Sequence, residues 1–386
     1  MFVQLKKSWL QGTFRFPVIF NPVMSTSASP AAGKVIPGKF PWLFSPAVDL
    51  CTFLGSALLA LSLLWLGHTQ GWLNSETPEW LWVSTILMID VAHVYATGFR
   101  VYFDGTELRR RPWLYALAPI LSFLIGAALY SESPTWFWRI LAYLAVFHFI
   151  RQQYGWVALY RAKAGDRDRL GTWIDSLAIY LATIYPLVYW HSHLPRQFWW
   201  FLDDDFVRLP VLAAEVVKPV YWSVMLLYCC RAGDQALRFR RFNPGKDLVV
   251  LTTAICWYTG IVLFNSDYAF TVTNVIIHGI PYLVLVYWYQ SLKRNSSSSS
   301  AHRFQQIGAF LGVVWMMAYI EELLWDTGVW HERPWLFGTF WNLVDWSGFL
   351  VPLLAVPQMT HYILDGFIWR RTTDKQLAGM VNSDSE

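Results

Sequence analysis

Charge is the scarcest ingredient of this chain. Only 15% of its 386 residues are Asp, Glu, Lys or Arg, where soluble chains average about 25%. That deficit excludes an ordinary soluble domain. Cysteine is scarce as well. Cys51, Cys229, Cys230 and Cys256 lie within or beside apolar blocks with no Cys-x-x-Cys, which excludes a disulfide framework or a cysteine zinc site. The chain has no internal repeat, no glycine-rich nucleotide loop and no Gly-x-Ser-x-Gly elbow. It also lacks His-Glu-x-x-His and the paired histidine boxes of membrane desaturases. No nucleotide cofactor is therefore indicated. The start is basic but adjoins no apolar core with a small-residue cleavage site, so no cleaved signal peptide is expected. A net charge of +4 gives no reason to expect a nucleic-acid partner.

What is abundant is apolar sequence. Hydrophobic residues make up 55% of the chain and fall in blocks of about 20, the length that crosses a bilayer core. The pattern predicts an all-α polytopic integral membrane helix bundle in contact with membrane lipid. Its ten spans run over roughly 46–67, 80–103, 113–130, 135–161, 171–190, 211–230, 246–265, 268–292, 304–325 and 348–369. Many of the 24 tryptophans cluster at block ends, as at Trp80, Trp82, Trp136, Trp138, Trp199 and Trp200, where an aromatic belt belongs. Residues 1–45 form an irregular lead-in and 46–371 the membrane region. The run Ser296–Ser300 is a flexible connector, and 372–386 a disordered polar tail. Lys and Arg concentrate in the lead-in, after the even-numbered spans (Arg109–Arg111, Arg161–Arg169, Arg231–Lys246, Lys293–Arg303) and at Arg370 and Arg371. By the positive-inside rule both termini are cytoplasmic.

Four spans that run in the same direction each carry one histidine near the middle: His93, His148, His278 and His361. Their matched depth lets them meet around one metal ion. Asp90 precedes His93 by three residues and Asp365 follows His361 by four, spacings that share a helix face. A carboxylate so placed orients the imidazole or shares its metal, so Asp90 and Asp365 join the four histidines as metal candidates. Asp90, His93, Thr97, Arg100 and Asp104 form one polar stripe. His148, Arg151 and Gln152 share a face, and so do Asn274, His278 and Tyr282, with Pro281 placed to kink the helix. Arg151 and Tyr282 are the candidate catalytic side chains. An arginine at this depth needs an anion, either Asp90, Asp365 or a substrate headgroup. Imidazole and carboxylate donors suit iron first, then zinc or copper. Glu321 and Glu322 carry less weight, as an interfacial pair or a more distant acid. His191 and His193 fall in an outside loop, Asp49 and Asp175 near span starts, and His68, His302 and His331 toward solvent.

The phrases Asp90-x-x-His93 with Arg100-x-Tyr102, His148-x-x-Arg-Gln-Gln-Tyr-Gly155 and His361-Tyr-x-x-Asp-Gly-x-x-Trp369 resemble a group of bacterial polytopic membrane proteins of unassigned activity. The resemblance spans most of the membrane region and implies the bacterial inner membrane. More loosely, histidines spread over four helices are similar in architecture to the bacterial membrane carotene oxygenases, which hold iron with intramembrane histidines. No residue is carried over from that likeness.

These features favour a metal-dependent membrane oxidoreductase acting on a lipophilic small molecule, since an apolar site shields reactive intermediates. Two alternatives stand beside it. A proton-coupled transporter also uses intramembrane His, Asp and Arg, although paired broken helices and repeats are not evident. A non-catalytic scaffold would use the same polar seams only to fix helix packing.

Overall fold

The computed structural model describes residues 40–75, 77–198, 205–239, 241–293, 300–339, 341 and 343–382. The lead-in before Phe40, Trp199 and Trp200, Asp203 and Asp204 of the acidic run, the serine run through Ser299 and the last four residues lie outside the described residues. Among the described residues there are helices and no strands. Seven of the described helices are long and apolar enough to cross a membrane. They are α1 (Pro46–Gln70), α2 (Glu79–Arg100), α4 (Pro112–Glu132), α7 (Val211–Leu237), α8 (Pro244–Leu263), α9 (Asp267–Lys293) and α10 (Ala301–Trp330). A short α3 (Gly105–Arg110) follows α2. Inside a bilayer a helix is the form that satisfies its own backbone, and local signals fix where each begins. Ser45 and Pro46 start α1, Asn243 and Pro244 start α8, and the Ser266 hydroxyl caps α9 through the Ala269 amide at 3.3 Å. Such caps and first-turn prolines supply or remove the unpaired amides of a helix start.

The three remaining expected spans take other forms. α5 (Pro134–Lys163) and α6 (Arg169–Ser192) are long helices, but they fall outside the strongly apolar set. In α5 the cause is visible: His148, Arg151, Gln152 and Gln153 interrupt its apolar run. The single span expected over 348–369 is two helices, α11 (Ser347–Leu354) and α12 (Val356–Ile368), meeting at Ala355. Pro357 has no amide to offer the carbonyl of Leu353, and its ring clashes there, so the helix breaks.

The tail differs from expectation. Residues from Thr372 were expected to lack order, yet Lys375–Asn382 form a helix, α13, that buries Leu377, Met380 and Val381. Asp374 is buried and accepts from the Leu377 amide at 2.8 Å and from the Tyr289 hydroxyl at 3.0 Å. It also pairs with the fully buried Arg100, whose Nη2 donates to the Ile368 carbonyl at 2.9 Å. The tail is thus tied to the end of α2.

α9 is the central helix. Of its most apolar stretch 83% is buried, against 17–56% for the other six, so the rest of the bundle packs around it. Gly279 makes the closest approach. A Cβ there would lie 2.6 Å from the Ile89 side chain and 3.1 Å from the Ile89 carbonyl oxygen of α2. Only glycine lets these two helices meet so closely. Both helices are also widened to i→i+5 pairing just before their histidines, α2 over Trp82–Val91 and α9 over Thr271–Val275. Such bulges are common at functional sites.

Two acids expected near interfaces are fully buried instead. Asp49 accepts from the amides of Leu43, Phe44 and Ser45, each at 2.9 Å, and from Tyr160. Asp175 binds Arg161, and Lys246 at 3.0 Å. Both depart from expectation for the same reason: a carboxylate at a span start can be drawn inward when amides or cations complete its hydrogen bonds. Asp168, which caps α6 outside the spans, has its carboxyl held below the usual range by the Arg231 guanidinium at 2.8 Å.

Candidate metal centre

The four histidines named from the sequence come together in the middle of the bundle, each 1–4% exposed. They arrive on four separate helices: His93 on α2, His148 on α5, His278 on α9 and His361 on α12. His278 Nε2 lies 3.2 Å from His93 Nε2, and His361 Nε2 lies 3.1 Å from His148 Nε2. The rings form a closed four-sided arrangement. Neighbouring centroids are 4.7 Å apart for His93–His278, 5.1 Å for His278–His148, 4.5 Å for His148–His361 and 4.9 Å for His361–His93. His93 and His148 stand across from each other at 6.4 Å. His93, His148 and His361 each place a ring nitrogen within 4.8 Å of the other two.

Three of the opposite ring nitrogens have a carboxylate nearby. His93 Nδ1 is 3.6 Å from Asp90, His148 Nδ1 3.7 Å from Asp365, and His361 Nδ1 3.8 Å from the other oxygen of Asp365. The Thr97 hydroxyl lies 2.7 Å from His361 Nδ1 and 2.9 Å from the Tyr282 hydroxyl. Tyr282 in turn donates to Asp365 at 2.7 Å. Asp90 and Asp365 were grouped with the histidines as metal ligands. Here they lie on the Nδ1 side of the rings at 3.6–3.8 Å, beyond hydrogen-bond distance, rather than among the Nε2 atoms. Tyr282, expected to be catalytic, touches His361 edge-on at 5.0 Å and holds Asp365 in place.

Arg151 departs from expectation. It lies one turn from His148 but points away from the cluster and is exposed. It donates to the Tyr180 hydroxyl and sits 4.9 Å from the Tyr154 ring. No carboxylate pairs with it among the described residues. The reason is the facing of α5: His148 and Arg151 are only about 60° apart around the helix, but α5 is rotated so that the histidine is buried in the cluster and the arginine falls on the exposed side. The buried cation of this region is Arg100, seven residues beyond His93 and bound to Asp374.

Two neighbours, Phe149 and Tyr362, carry no role in the sequence pattern, and Gln152 enters it only as sharing the face of His148. Phe149 stacks on the His278 ring at 3.7 Å, Tyr362 lies 4.8 Å from His148, and the Gln152 amide donates to the His278 carbonyl at 2.8 Å. Phe149 and Tyr362 each directly follow a histidine of the cluster, the one signal they offered. Glu321, given little weight, is buried and accepts from Trp325 and Gln358, each at 3.3 Å. His191 is buried in the last turn of α6 rather than in an outside loop. Its Nε2 meets the Tyr143 hydroxyl at 3.0 Å and its Nδ1 the Leu187 carbonyl at 2.6 Å. His68 and His302 are exposed.

The donor set suits a divalent cation. Nitrogens on one tetrahedral ion at about 2.0–2.1 Å are about 3.3–3.4 Å apart; two Nε2 pairs lie at 3.1 and 3.2 Å, and His93, His148 and His361 form the group compact enough to share an ion. Comparison with protein-family models, with curated proteins and with solved structures returns no match to this chain.

Proposed function

We propose that this protein is a membrane metalloenzyme in which His93, His148, His278 and His361 hold one divalent ion, iron before zinc or copper, for a redox reaction on a lipophilic substrate. The observation that carries the reading is the meeting of four buried imidazoles from four helices: His93, His148 and His361 place ring nitrogens within 4.8 Å of one another, and His278 Nε2 lies 3.2 Å from His93 Nε2. Packing alone does not call for it: rings turned against one another gain little from an arrangement that leaves buried nitrogens short of partners. His93 Nδ1 and His278 Nδ1 have no hydrogen-bond partner among the described residues. When bound, iron supplies one-electron chemistry at the cluster. The chain's own residues do the rest. Asp90 and Asp365 orient the rings, Thr97 and Tyr282 hold Asp365 and His361 in register, and Phe149 and the surrounding apolar side chains keep water out. Both termini lie on the cytoplasmic side of a bacterial inner membrane in this reading, with α5, α6 and the α11–α12 pair crossing alongside the seven apolar helices.

Elemental analysis of detergent-purified protein tests the proposal. We expect about one equivalent of metal per chain, reduced by His→Ala at each of the four positions and unchanged by His302→Ala, whose ring is remote and exposed. Equal metal content across wild type and all five variants would refute it. A stable protein free of metal would favour a proton-coupled carrier built on the same His and Asp residues.

A further inference from the structure

Arg151 poses a problem that the histidine cluster does not solve. It lies in the middle third of α5, and its partner Tyr180 lies in the middle third of α6. Twelve residues of helix separate Arg151 from the end of α5, about 18 Å at 1.5 Å per residue. A helix of 30 residues overruns a bilayer core of about 30 Å by about 7 Å at each end, which leaves Arg151 about 10 Å inside the core, beyond the easy reach of its side chain. The guanidinium is nevertheless exposed, bonded to a neutral phenol and facing no carboxylate among the described residues. A cation held at this depth without an anion is costly.

Its surroundings say what would cover it. Leu144 and Phe147 share the face of α5 with Arg151, and Ile184 shares the face of α6 with Tyr180. All three are exposed and apolar. The surface is therefore an apolar strip ending in one guanidinium and one hydroxyl. We propose that this face of α5 and α6 binds a long-chain carboxylate, its head on Arg151 and Tyr180 and its chain along Leu144, Phe147 and Ile184. A planar monoanion matches a single guanidinium, which binds carboxylate through two parallel N–H bonds. Tyr180 accepts from Arg151 and keeps its own proton to donate to the same head. A phospholipid phosphate is tethered by its glycerol at the interface and fits this depth poorly. The site is separate from the histidine cluster and does not depend on a metal there; it depends on α5 crossing the membrane.

The test uses purified protein in phosphatidylcholine nanodiscs with spin-labelled stearic acid, and its methyl ester as control. Wild type should immobilise the acid in preference to the ester by on the order of tenfold, the scale of one desolvated charge-assisted hydrogen bond. Arg151→Gln should abolish the preference, Arg151→Lys should retain part of it, and both should keep the wild-type metal content and melting temperature. Equal immobilisation of acid and ester by wild type would overturn the site. So would a preference that survives Arg151→Gln, displacement of the acid by phosphatidylglycerol at equal concentration, or a dimer joined through this face. Should Arg151→Gln fail to fold, Tyr180→Phe with Phe147→Ala must weaken the preference, and an unchanged preference there would refute the proposal.

Discussion

Asp365 is where the contacts of the histidine cluster are densest. One oxygen accepts from Tyr282 at 2.7 Å and faces His361, while the other faces His148 at 3.7 Å. One carboxylate therefore lies beside two rings on two helices. Asp365→Asn should weaken metal retention by roughly 10–100-fold, the usual cost of losing a carboxylate behind a ligating histidine, with the fold intact. A chelator competition assay measures this, and unchanged retention would remove Asp365 from the site. Part of this was legible in the sequence because helix geometry alone puts residues 361 and 365, or 90 and 93, on one face. The bridge from Asp365 to His148 was not legible, because it depends on how α12 sits against α5. Arg151 was misjudged for the same reason, since its spacing placed it with His148 but nothing in the sequence gave the facing of α5. The fully buried Arg100 was visible only as a member of a polar stripe, its partner Asp374 being 274 residues away.

Helices made four expectations into one cluster by matching depth, and depth is what apolar blocks reveal. Facing is set by finer devices. The widened turns before His93 and His278 insert a residue's worth of rotation, about 100°, that no apolar pattern announces. Gly279 then lets α9 close on Ile89 of α2, beside His278. Gly279→Ala should overpack this contact against backbone and cost about 1–3 kcal/mol, while also moving His278 away from His93 and lowering bound metal. Thermal unfolding in detergent together with elemental analysis checks both effects. A variant with wild-type stability and metal would show that the contact has room to spare. The break at Ala355 and the docked helix α13 were missed for different reasons. Pro352 and Pro357 were present in a block read by hydropathy alone. The tail's three buried apolar residues lie in a segment whose polar flanks dominate its composition.

At the scale of the whole molecule the membrane character was legible at once, because a deficit of charge and blocks of about 20 apolar residues leave few alternatives. The number of crossings was less so. Seven of the described helices are apolar enough by composition, and α5, α6 and α12 carry the arginines, histidines and carboxylates that the site and the ion pairs use. Reporter fusions after Arg110, Arg167, Arg240 and Ser298 should report cytoplasm, and one after Asp204 the far side. A cytoplasmic signal at Asp204 would break the ten-crossing arrangement and the common direction of the four histidine helices. The central proposal, four histidines on one ion, is tested most directly by X-ray absorption at the metal edge of the purified protein. We predict about four nitrogen neighbours at about 2.0–2.2 Å with the outer-shell scattering of imidazole. A sulfur shell, an oxygen-only shell, or no metal after growth with iron, zinc and copper supplied would contradict it.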